Sequence, residues 1–283
     1  MTDIDIARCG RISYTNDLPV YAGIDDDVLL FPGSMLAGVP AQLNAALLEG
    51  RLDISPISSA FYATHAEELV LLPGVCIGAA GAVHSVCCVA NGELASLAGR
   101  TIASTKESAT GRLLLRLICR RYHGFDAKLL DDDDPFAAYL RDGTPCLLIG
   151  DGAIDATEQA PIGAVWDLGR LWRELAGSGM VYAVWATRRS YALAHPDRVQ
   201  AVADALRASL AWGLEHRGAV VARAQATRPR ADGFYETYYD TLRFDFDDEA
   251  RAALATFLGA AHEAGLIDRA PALSFFGQTV QHV

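Results

Sequence analysis

Four short segments carry polar side chains at spacings that could hold and activate a small anionic molecule. The first, Ser13-Tyr14-Thr15-Asn16-Asp17-Leu18-Pro19, follows an apolar run and precedes a possible helix with proline near its start. Tyr14 and Asn16 fall at the C-terminal end of that strand, where open α/β sheets take up ligands; the competing reading is an Asx turn or helix cap by Asn16. The second, Ile57-Ser58-Ser59-Ala60-Phe61-Tyr62, sets Ser58 and Ser59 after a buried strand. A hydroxyl there either caps the next helix alone or also faces a carboxylate. The third, Gly81-Ala82-Val83-His84-Ser85-Val86, places a polar pair in a small-residue β-leaning stretch. Strand alternation lets only one of His84 and Ser85 face a given side, and Ser85 bonds either a ligand or a neighbouring strand. The fourth, Ser104-Thr105-Lys106-Glu107-Ser108-Ala109-Thr110-Gly111-Arg112, joins a strand to a strong helix. Its hydroxyls exceed the one that a cap needs, and with unpaired N–H groups and the helix dipole they make an anion site, to which Arg112 could add a charge. Gly150-Asp151-Gly152 closes a further strand and reads either as an ordinary turn or as another wall of the same cleft.

Other chemistry is missing from the sequence. No phosphate-cradling G-x-x-x-x-G-K-[ST], dinucleotide G-x-G-x-x-G, H-E-x-x-H or G-x-S-x-G occurs. The histidines are scattered, and none of Cys9, Cys76, Cys87, Cys88, Cys119 and Cys146 forms C-x-x-C. Buried reduced thiols and no metal or cofactor are expected. The acidic run Asp131–Asp134 reads as a solvated loop and helix N-terminus, since its spacing does not match a calcium loop.

Those segments need a scaffold, and the periodicity supplies one. Ala7–Tyr14, Asp53–Ser58, Arg100–Ser104, Ala127–Leu130, Pro145–Ile149 and Met180–Ala186 read as strands. Val39–Glu49, Ser59–His65, Ala109–His123, Asp134–Arg141 and Asp167–Leu175 read as helices, and the chain from His195 to Ile267 is nearly all helical. Val75–Ala90 is a long β-leaning segment with one strand–helix block on either side. Alternating strands and helices imply α/β layers with largely parallel pairing. Two extended β segments that carry the chain across and back suit a two-lobed clamp with a ligand cleft between the lobes, closing by hinge motion. Residues 1–88 with 182–283 would form one lobe, and residues 89–181 the other. With 283 residues, 51% of them hydrophobic, the chain can bury the core such a clamp needs. The 35 acidic against 24 basic side chains give a net charge of −11, which argues against nucleic-acid binding and against attachment to anionic membranes. No stretch is apolar for long enough to span a membrane, and residues 1–11 have no apolar signal core, so a cytoplasmic location is expected.

Taken together and in order, GRISYTNDLPVY, PAQLNAALLEGRLDISPISSAFYA, LLPGVCIGAAGAVHSV, STKESATGRLLLRLI, CLLIGDGAI and DLGRLWRELAGSGMVYAVWA resemble the menaquinone-biosynthesis chorismate dehydratases of the futalosine pathway. The resemblance implies a type II periplasmic-binding-protein-like fold used as a cofactor-independent hydro-lyase. The implied partner is a small dicarboxylate, chorismate, converted to 3-[(1-carboxyvinyl)oxy]benzoate with loss of water. By motif, Asn16 and Ser85 carry over as catalytic, and Ser58, Ser108, Ala109 and Thr110 map to ligand-contact segments. Tyr14, Ser59, Thr105 and Asp151 complete the candidate substrate-binding set. The family's helix-start motif commonly reads Ser-x-Thr-Ser; here it reads Ser108-Ala109-Thr110-Gly111, one hydroxyl fewer. None of the carried-over positions is a good base, so the substrate's own enolpyruvyl carboxylate is the expected acceptor of the C3 proton. The alternatives are the sister enzyme that forms 1,4-dihydroxy-6-naphthoate, and a non-enzymatic carboxylate-binding protein.

Overall fold

A computed structural model describes residues 6–161 and 163–278. The first block begins with β1 (Ala7–Ile12), a 3-10 turn at Thr15–Asp17 and α1 (Leu18–Asp25). It continues through β2 (Gly33–Gly38), α2 (Pro40–Leu48), β3 (Ile54–Ser58), α3 (Ser59–His65) and β4 (Leu69–Ala79). The second block runs β5 (Val86–Val89), β6 (Thr101–Ser104), α4 (Ala109–His123), β7 (Lys128–Asp131) and α5 (Pro135–Asp142). It ends with β8 (Cys146–Ile149), α6 (Gly150–Gln159), β9 (Val165–Asp167) and α7 (Leu168–Ala176). The chain then returns along β10 (Met180–Arg188) to α8 (Arg189–Ala194), α9 (Pro196–Glu215) and α10 (Arg217–Thr227). It closes with α11 (Phe234–Thr241), β11 (Leu242–Arg243) and α12 (Asp248–Glu263).

Two sheets result. One has the order β11-β4-β10-β3-β1-β2, the other β7-β6-β8-β5-β9. The pairing is mixed rather than largely parallel. β1 lies parallel to β2 and β3, and β6 parallel to β7 and β8, whereas β10 and β5 each run antiparallel to both of their neighbours. The cause is the two crossings: a strand arriving from the opposite block meets strands laid down in the other direction. Val75–Ala90 is therefore two strands in two sheets, divided at residues 80–85, where His84 adopts a left-handed φ of 59°. The carboxylate of Asp167 pins this crossing by accepting from the backbone N–H groups of Val83 and His84, the latter at 2.7 Å.

Local chemistry explains the element ends. α4 stops at Gly124, whose φ of 71° suits a glycine C-cap. Asp134, the last of the acidic run, accepts from the N–H of Ala137 at 3.0 Å and caps α5. Gly150-Asp151-Gly152 is not a turn but the first three residues of α6. Trp172 and Trp185 are the largest fully buried side chains. All six cysteines are buried free thiols, and burial pushes their pKa up, to about 12 at Cys9, Cys119 and Cys146. Among the described residues, no group of His, Cys, Asp and Glu side chains is arranged to hold a metal ion, and no helix is long and apolar enough to cross a membrane.

Candidate active site

A cleft of about 610 Å³, counting its open mouth, lies between the two sheets. The C-terminal ends of β1 and β3 and the crossing at 80–85 form one wall; the start of α4 and the β8–α6 junction form the other. Ile12, Ile77, Val83, Val86 and Ile149 give it apolar sides suited to a carbon ring.

Tyr14 and Asn16 both line the cleft. Asn16 caps nothing, because the helix that follows has no side-chain cap bond, and its Oδ1 is buried without a protein partner. An orphaned buried amide oxygen is costly and is expected where a ligand supplies the missing bond. The Tyr14 hydroxyl donates to Glu107 Oε2 at 3.0 Å from across the cleft, and burial followed by that carboxylate pushes its pKa up. Tyr14 also packs on Gly150: a Cβ there would lie 3.0 Å from three of its ring atoms, and the glycine sits at φ +61°.

Ser58 combines both of its expected roles, lining the cleft and accepting from the N–H of Phe61 at 3.2 Å to cap α3. Ser59 does not line it; fully buried, it donates to the carbonyl of Val181 at 2.7 Å. Ser85 faces the cleft at 2% exposure, held by a tight turn in which its N–H and its Oγ both donate to the carbonyl of Val83. Its own carbonyl accepts from the N–H of Gly150 at 2.8 Å. His84 points elsewhere, toward the edge of the Tyr238 ring.

At the start of α4, Glu107, Ser108, Ala109, Thr110 and Gly111 all line the cleft. Ser108 occupies the N-cap position without capping, and its buried Oγ has no partner. Thr110 is committed elsewhere: its hydroxyl accepts from the N–H of Ala60 at 3.1 Å and donates to the carbonyl of Tyr182 at 3.3 Å, tying the two walls together. Thr105 lies outside the lining, although its hydroxyl too is buried and unpartnered. Arg112 turns away to pair with Asp131 at 2.6 Å. Asp151 is not in the lining either; its two oxygens accept from the N–H and the hydroxyl of Thr15. At the position that departs from the family's helix-start motif, glycine leaves room for the Ser108 hydroxyl. A Cβ on Gly111 would stand 2.6 Å from Ser108 Oγ and 3.2 Å from a Val86 methyl.

Two polar residues of the lining give no such signal in the sequence. Glu107 looks like an acid placed to favour a helix N-terminus, and Tyr182 like an ordinary inward strand residue. The Tyr182 hydroxyl is buried and unpartnered, and burial, with Asp167 nearby, raises its pKa well above the usual phenol. Among the described residues, Glu107 is the one ionisable carboxylate in the lining, which contains no Arg, Lys or His. The positive end of α4 and the free Ser108 hydroxyl are therefore the features of this cleft suited to a carboxylate.

A family profile described as menaquinone biosynthesis matches residues 7–263. A chorismate dehydratase of Thermus thermophilus is 33% identical over 272 residues, covering 87% of this chain and 94% of that protein. The solved structure of an Archaeoglobus fulgidus protein superposes with a TM-score of 0.73 at 19% identity, covering 92% of this chain and 98% of that one. The periplasmic aliphatic sulphonate binding protein of Escherichia coli does so with a TM-score of 0.65 at 19% identity, covering 93% and 94%. These structural likenesses are of fold, and the two-sheet clamp is that of the periplasmic binding proteins.

Proposed function

The chain belongs to the menaquinone-biosynthesis family, and from this we propose that it is a chorismate dehydratase, a hydro-lyase that converts chorismate to 3-[(1-carboxyvinyl)oxy]benzoate and water. The observation that carries the reading is the chorismate dehydratase relative, which aligns over nearly its whole length. The cleft supports it: an apolar slot for a six-membered ring, a helix N-terminus for a carboxylate, and a buried amide oxygen awaiting a donor.

The reaction is redox-neutral, so it calls for no electron carrier. Removing the C3 proton spreads negative charge through the ring double bond into the ring carboxylate. The start of α4, with Ser108 and the N–H groups of Ala109 and Thr110, stabilises charge at that position. The C4–O bond then breaks, the ring becomes aromatic, and the departing oxygen leaves as water with the proton taken from C3. Asn16 hydrogen-bonds the C4 hydroxyl, and Ser85, from the same wall, orients the substrate. The substrate's enolpyruvyl carboxylate carries the proton, in a cleft whose closure keeps water away. The lobes that close over it follow the two sheets, so their boundaries fall at the crossings, before β5 and before β10 and a little earlier than 88/89 and 181/182, and the enzyme works in the cytoplasm.

The test is direct. Purified protein is mixed with chorismate without added metal or cofactor, and products are followed by chromatography and ultraviolet absorbance. The enolpyruvyl-oxybenzoate should form, and Asn16→Ala or Ser85→Ala should slow it by roughly a hundredfold or more. Saturable binding without turnover would leave a carboxylate-binding protein, and neither binding nor turnover would move the dihydroxynaphthoate-forming reading to the front.

A further inference from the structure

We propose that Arg230 is a positioning residue for this reaction: it clasps the acidic face of α6 and, through that helix, holds Asn16 at the cleft. Asp151, Asp155 and Glu158 follow one another at i, i+4 and i+7, so they share one face of α6. Each reaches across from the second block to residues outside it. Asp151 takes the N–H and hydroxyl of Thr15, the neighbour of Asn16. Asp155 pairs with Arg230 and, at 3.1 Å, with Arg228, and Glu158 pairs with Arg230 at 2.9 Å.

The arginine end is built for this. The Arg230 side chain is only 5% exposed, and its guanidinium lies 5.8 Å from the Phe234 ring. Gln225 brackets its backbone, accepting from the N–H at 2.7 Å and donating to the carbonyl at 3.2 Å. The circuit closes through α11, where the Tyr239 hydroxyl donates to the carbonyl of Thr15 at 2.9 Å. Exposed ion pairs contribute little, and Asp155 and Glu158 are 36% and 47% exposed, but the guanidinium between them is buried and is left uncompensated when both withdraw. The acidic face of α6, Thr15 and the segment at 228–239 therefore move together or not at all. Separating the two blocks requires Arg230 to give up both carboxylates, so the clasp sets how much of the protein is in the closed, reactive arrangement.

The kinetic part of the test rests on the dehydratase reading; the structural part does not. Arg230→Gln, Arg230→Lys and Asp155→Asn are compared with wild type by small-angle scattering of the ligand-free protein and by steady-state kinetics with chorismate. If Arg230→Gln leaves about a tenth of the molecules closed, KM rises about tenfold while kcat at saturation changes far less. The radius of gyration should grow, saturating chorismate should restore it, and Arg230→Lys should recover part of both effects. Should Arg230→Gln fail to fold, Asp155→Asn, which keeps the helix and removes one charge, decides. Unchanged size and unchanged KM, even with a lowered melting temperature, would reduce Arg230 to a structural residue and overturn the proposal. If wild type does not turn over chorismate, the functional reading fails, and the scattering of the ligand-free variants still decides the clasp.

Discussion

Asn16 carries the most exposed commitment of the cleft, because its buried amide oxygen is left for the substrate. Glu107 separates two accounts of the base. If the substrate's own carboxylate takes the C3 proton, Glu107→Gln should keep kcat within about tenfold of wild type; a loss of more than about a hundredfold would make Glu107 the base instead. Directly after Asn16, Asp17 is buried, and burial, only partly offset by Arg11 and by the N–H of Ile12, pushes its pKa up to about 7. The ordinary value is 3.8, so from about pH 4 to about pH 7 the folded chain holds a proton that the unfolded chain has released. Stability from this source is full below the unfolded pKa and is lost as pH rises through the folded one. Asp17→Asn mimics the neutral acid and should gain on wild type between about pH 5 and about pH 8, by at most about 1.4 kcal/mol per pH unit. Denaturant titrations at the two pH values measure this, and a difference that stays flat would mean that Asp17 is ionised in the native state.

Elements place these side chains, and two serines with the same apparent role should respond differently. Ser58 caps α3 through its oxygen, so Ser58→Ala should cost about 1 kcal/mol of stability. Ser108 caps nothing, so Ser108→Ala should leave the melting temperature nearly unchanged and raise KM for chorismate. Gly150 opens α6 at a positive φ with the Tyr14 ring against it; Gly150→Ala should destabilise by roughly 1–2 kcal/mol and lower turnover by displacing Tyr14. The sequence discloses α4 from start to finish, because its apolar spacing and the glycine that ends it agree. It hides the helical nature of Gly150-Asp151-Gly152, since two glycines lower helix propensity and the hydrogen bonds of Asp151 to Thr15 come from the other side of the molecule. β2 escapes for a similar reason: GSMLAG is an edge strand without an apolar run, ordered by pairing with β1. Glu107 and Tyr182 are equally silent in sequence, because only the folded cleft shows one facing a tyrosine and the other without a partner.

At the scale of the whole molecule, the two blocks touch through specific polar links as well as through apolar packing. Thr110 is one of them, joining α4 to Ala60 and Tyr182. Thr110→Val keeps its shape and removes both bonds, leaving an unpaired N–H; it should cost roughly 1–3 kcal/mol in denaturant unfolding and raise KM. No loss of stability would mean that the link is not made in solution. The clamp architecture was legible from strand–helix alternation and the two β crossings, whereas the antiparallel setting of β5 and β10 depends on which block each strand finally joins. The six buried thiols make the native chain dark to maleimides and iodoacetamide. Cysteines introduced at Leu140 on α5 and Leu193 on α8, which are 59% and 80% exposed, would then be the sulfurs that react. A donor and an acceptor dye on that pair would turn the approach of the two sheets into a distance read one molecule at a time, with no native residue removed to clear the background.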